Sequence, residues 1–163
     1  MTKLEQLIPM PITIDMLGNK KFDMKFWSAL VMVYGNNSEK GEMLINNKDI
    51  DEKRLAQTMG KSIKTISRKI KYLEDNEIIE IVNNKKGVFY RIKNLNDPVK
   101  YKWIERGRIE ELLISGSSRT IKIYLLLCSK LSSGLRRTIT FDEISSLIGL
   151  SIKGGGNRCR CSN

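Results

Sequence analysis

The chain has 163 residues, 40% of them hydrophobic, and a formal charge of +11 at neutral pH. This is enough apolar content to fold, in one large or two small domains, and no apolar run has the length of a membrane span. With no histidine and only three cysteines, the usual general base is missing and metal ligands are scarce, so catalysis and a metal cofactor are not expected. Cys128 lies in an apolar run and reads as core; Cys159 and Cys161 lack partners for a zinc site. The N-terminus lacks a signal peptide's apolar stretch, and the sparse thiols fit a reducing compartment, so the expected location is the cytoplasm.

The charge is unevenly placed. Residues 1–50 are neutral, residues 51–100 carry 12 basic against 7 acidic side chains, and residues 101–163 carry 11 against 5. The excess begins at Asp51, where the most patterned segment also begins. A basic segment of this kind favours nucleic acid, because contacts with phosphates release counterions.

In chain order, residues 1–20 hold Pro9, Pro11 and Gly18 and read as an extended lead-in with a short strand at Ile12-Thr13-Ile14. From Asp23 to Tyr34 the residues Phe26, Trp27, Leu30, Val31 and Tyr34 recur at helical spacing. Asp23 would cap this helix and Gly35-Asn36-Asn37 would stop it. Met43-Leu44-Ile45 reads as a short strand. Asp51 to Gly60 is a short helix with an Asp cap and a Gly stop. Lys61 to Leu73 is a second helix, capped by Ser62, whose apolar residues Ile66, Ile70 and Leu73 fall on one side. The opposite side carries Lys61, Lys64, Thr65, Arg68, Lys71 and Tyr72. Ile78–Val82 and Val88–Ile92 are β-branched runs joined by Asn83-Asn84-Lys85-Lys86-Gly87, a hairpin with a basic tip.

This order of helix, Gly turn, basic helix and basic hairpin resembles the winged helix-turn-helix family over residues 21–94. The resemblance implies an α+β, mostly helical fold. It also implies a helix at 62–74 that reads the major groove of double-stranded DNA and a wing at 83–87 that touches its backbone. The DNA-facing residues it implies are Lys61, Ser62, Lys64, Thr65, Arg68, Lys69, Lys71, Tyr72, Asn84, Lys85 and Lys86.

Residues 95–106 read as a linker followed by an edge strand at Val99–Ile104. Residues 107–153 look like a second, diverged and incomplete unit of the same kind. Arg108–Ile114 and Arg119–Leu131 are helical, Arg136–Ile139 is a short strand, and Thr140 with Glu143 forms a capping box. At a spacing of 89 residues Gly60 meets Gly149, and Ser62-Ile63-Lys64 meets the identical Ser151-Ile152-Lys153, which adds Ser151 and Lys153 to the candidate contacts. The match ends at Gly154-Gly155-Gly156, where three glycines oppose a helix, and residues 154–163 read as a flexible tail.

Such a tandem arrangement is similar to plasmid replication-initiator and conjugation accessory proteins. Three readings follow: a sequence-specific regulator or accessory factor of a mobile element, the DNA-binding part of a replication initiator, and a winged-helix adaptor for proteins. The expected partner is duplex DNA rather than a membrane, engaged by a homodimer or an internal pseudo-dimer, with further proteins at a plasmid nucleoprotein complex.

Overall fold

A computed structural model describes residues 7–37, 43–46, 52–85, 87–93, 101–131 and 139–148. Its architecture is α+β, mostly helical, with two small antiparallel sheets.

The helix-turn-helix consists of α3 (Glu52–Met59) and α4 (Ile63–Asp75). Gly60 takes the left-handed conformation, φ +59°, that a Cβ disfavours. There Lys61 N–H donates to the Ala56 carbonyl at 2.9 Å and Gly60 N–H to Gln57 at 3.2 Å, the paired bonds of a Schellman stop. Ser62 then opens α4 by accepting from Thr65 N–H. The stop of one helix and the cap of the next are thus two residues apart, and this fixes the angle of α4. Its far end closes the same way, with Glu77 at φ 55° and Ile78 N–H bonded to the Leu73 carbonyl at 2.8 Å. The chain then turns into β4 (Ile79–Asn84).

β4 pairs with β5 (Gly87–Ile92), β5 with β3 (Met43–Asn46), and β3 with β2 (Gly35–Asn37), all antiparallel. The strand expected at 43–45 therefore does pair with the wing. Gly35-Asn36-Asn37, expected only to stop a helix, adds a strand to the sheet's edge. The stop itself holds, since α2 (Met24–Tyr34) ends there, and Asp23 caps its start by accepting from Phe26 N–H at 3.1 Å.

The lead-in is more structured than expected. The strand expected at Ile12–Ile14 is instead β1 at Leu7–Pro11, and a short helix α1 occupies Ile14–Gly18. The reason is local: the Thr13 side chain accepts from Met16 N–H at 3.1 Å, which caps a helix where alternation alone reads as a strand. β1 pairs with β6 (Tyr101–Glu105), so residues 90 to 98 positions apart form one ribbon.

The last helices close over this frame. α5 (Arg106–Ser115) and α6 (Ser118–Leu131) pack against α2, and α7 (Phe141–Leu147) packs against α1. Three polar ties reinforce the contact: Met24 N–H to Ser118 Oγ at 2.9 Å, Lys25 Nζ to the Gly116 carbonyl at 2.9 Å, and Lys122 Nζ to the Asn19 carbonyl at 2.5 Å. Leu125 and Leu126 are buried, Ile144 and Leu147 are half-buried, and all join the core built around Trp27, Phe26 and Ile66. Thr140 caps α7 through Glu143 N–H at 3.2 Å. The expected strand at Arg136–Ile139 falls largely on residues outside the described ones, and so does everything from Gly149 onward, including Ser151, Lys153 and the glycine run.

Candidate nucleic-acid interface

The two sides of α4 are sharply different. Ile66, Ile70 and Leu73 are buried, while Lys61, Lys64, Arg68 and Lys71 are exposed. None of these four cations pairs with a carboxylate among the described residues. An unpaired, solvated row of cations has its charge free for an anionic partner. The neighbouring hydroxyls are occupied: Ser62 Oγ and Thr65 Oγ1 lie 3.0 Å apart, and Ser67 donates to Glu52 at 2.7 Å, tying α4 to α3.

Lys69 is placed differently from the candidates it was grouped with. Its ammonium binds the Asp23 carboxylate and lies 5.7 Å from the Phe26 ring centre. It fastens α4 to α2 instead of joining the outer row. Beside it opens a crevice of about 280 Å³ lined by Lys21, Asp23, Phe26, Arg68, Lys69, Tyr72 and Leu73. Tyr72 is half-buried against the core, so it walls this crevice. Lys21, exposed and unpaired among the described residues, brings a cation from outside the helix-turn-helix to Arg68's side. Nothing in the local pattern around Lys21 marks it, because it precedes α2 and is brought there by tertiary packing.

Burial alone would raise the Asp23 carboxyl. The hydrogen bonds from Lys69 and from Phe26 N–H, with the Lys69 charge, outweigh burial and hold it below its usual value. The unfolded state then binds more protons. The stability this pair adds is complete above the unfolded carboxylate's pKa of about 3.9 and is lost as pH falls through the lower folded value. Asp23→Asn keeps the cap, since Asn serves as well as Asp there, but removes the charge. Its stability should fall less steeply than the wild type's below about pH 4, as read by acid unfolding. An identical slope would mean the pair contributes nothing.

The hairpin is tighter than the sequence implies. Its ladder runs through Asn83↔Val88 to Asn84↔Gly87, with Lys85 in the turn. Lys85 is exposed at the tip, while Lys86 and the Asn84 side chain lie outside the described parts. Among the described residues no group of three thiols or carboxylates is placed to hold a metal ion, and no helix is long and apolar enough to cross a membrane.

Residues 2–106 match the family model described as Firmicute plasmid replication protein, RepL. The chain belongs to the RepL family. The match covers roughly two thirds of the sequence and takes in the whole α3–α4 unit, the hairpin and both strands of the β1–β6 ribbon. Membership makes this a protein of plasmid replication, and it places α6 and α7 beyond the part that RepL proteins are matched on. No curated protein and no solved structure matches the chain.

Proposed function

We propose that this RepL-family protein serves plasmid replication by binding duplex DNA at a specific sequence, with no catalytic activity of its own. In this reading α4 enters the major groove with Lys64 and Arg68 toward the bases. Lys61, Lys71, Lys85 and Lys86 meet phosphates on either side. The observation that carries the proposal is the outer row of α4: four exposed cations without carboxylate partners among the described residues, backed by three buried apolar residues and held at a fixed angle by the Gly60–Ser62 turn. A protein adaptor on this fold has no need of such a row. Family membership favours a replication site over a promoter or a transfer origin. Duplex DNA in the cytoplasm is the proposed partner, bound by one chain or by two.

Selection from a randomised duplex library with the full chain tests this. The expected result is an enriched motif whose binding is lost when Lys64 and Arg68 are both alanine. No enrichment, or enrichment that survives that double change, would sink the reading. The wing gives a separate outcome. Replacing Lys85 and Lys86 with alanine should reduce the slope of log affinity against log salt by roughly one to two, with the motif unchanged. A changed motif would assign base reading to the wing.

A further inference from the structure

Ile63 is the first residue of α4 and continues the spacing of the buried Ile66, Ile70 and Leu73. That spacing would bury it. Instead it is 43% exposed, while Ile66 is 0%. It stands past the edge of the core, where it walls a shallow hollow of about 380 Å³ with Lys53, Ala56, Gln57, Gly60 and Lys61. The two hydroxyls beside it, on Ser62 and Thr65, are turned toward each other at 3.0 Å. The leading end of α4 therefore presents an exposed apolar side chain, flanked in sequence by the exposed Lys61 and Lys64.

The N-terminal residues of a groove-reading helix are the ones that approach base edges. In the major groove the pyrimidine 5-methyl is the apolar mark on a base edge, and thymine carries it in unmodified DNA. We infer that Ile63 is a specificity-determining residue, packing on a thymine methyl at one position of the site while Lys64 and Arg68 supply polar and ionic contacts. This rests on the DNA-binding reading of α4 and adds to it a preference for the thymine methyl, an apolar mark that the charged contacts of Lys64 and Arg68 do not read.

The test uses the full chain and the duplex enriched by selection, with each thymine in turn replaced by uracil. Uracil keeps the hydrogen-bonding edge and removes only the methyl. Binding by the wild type should fall roughly three- to fivefold at one position, the effect of leaving one methyl unburied. In Ile63→Ala the thymine-to-uracil ratio at that position should fall to about one, and Ile63→Val should keep part of it. Cytosine and 5-methylcytosine at the same pair separate the two carriers of the methyl. Thymine should bind best, and tighter binding of 5-methylcytosine would overturn the assignment to thymine. If no position depends on the methyl, or if Ile63→Ala weakens thymine and uracil duplexes equally, the inference fails and DNA binding stands. If no duplex is enriched at all, both fail together.

Discussion

Alanine at Arg68 should lower affinity for the selected duplex by an amount equivalent to about 1–3 kcal/mol and relax the preference at one base pair. Arg68 is exposed on the outer side of α4, six residues after its cap, with no carboxylate partner among the described residues to neutralise its fork. A guanidinium can offer two parallel donors to the O6 and N7 of guanine, and an ammonium cannot reproduce that geometry. Arg68→Lys should therefore keep much of the affinity and lose the preference. Lys21 provides the contrast, since it flanks the same crevice from outside the helix. Its alanine variant should weaken all duplexes alike and reduce the salt slope by about one, as a phosphate contact does. Competition binding against duplexes varied one base pair at a time separates these outcomes. A uniform loss in Arg68→Ala would reassign Arg68 to the backbone.

The helix-turn-helix is legible in the sequence because its determinants are local. Gly60, Ser62 and the Ile66–Ile70–Leu73 spacing each act within a few residues, and together they define the stop, the cap and the buried side. The hairpin is legible for the same reason, although its ladder runs two pairs further into the Asn residues than composition implies. The ribbon is not legible. β1 contains Pro9 and Pro11, which argue against a strand, and its partner β6 begins 90 residues away. Proline is tolerated there because the ribbon has only two strands, so both are edges. Within the site, the wheel separates the outer cations from the core but cannot foresee that Asp23 reaches across to take Lys69. Nor does it single out Ile63, whose exposure shows only where the core ends.

Trp27→Ala should cost about 3–5 kcal/mol, a large share of what a single domain has. Trp27 is 0% exposed, meets Phe22 edge-on with ring centres 5.9 Å apart, and donates from Nε1 to the Pro11 carbonyl at 3.1 Å. That bond joins α2 to the end of β1, so Trp27 links the helical core to the ribbon. Trp27→Phe separates the two contributions. It keeps most of the apolar volume but leaves a carbonyl without its donor, which costs about 1–3 kcal/mol. Because α5 and α6 also pack on α2, the loss should be felt through the whole described core as one transition. The two tryptophans make this measurable. Trp27 is buried, whereas Trp103 on the ribbon is 59% exposed, so the fluorescence change on unfolding reports mainly on Trp27. Denaturation of Trp103→Phe followed by fluorescence should coincide with the loss of helical circular dichroism. If the helical signal persists after the Trp27 environment is lost, α5–α7 hold together without α2, and the C-terminal helices are a separate cooperative unit.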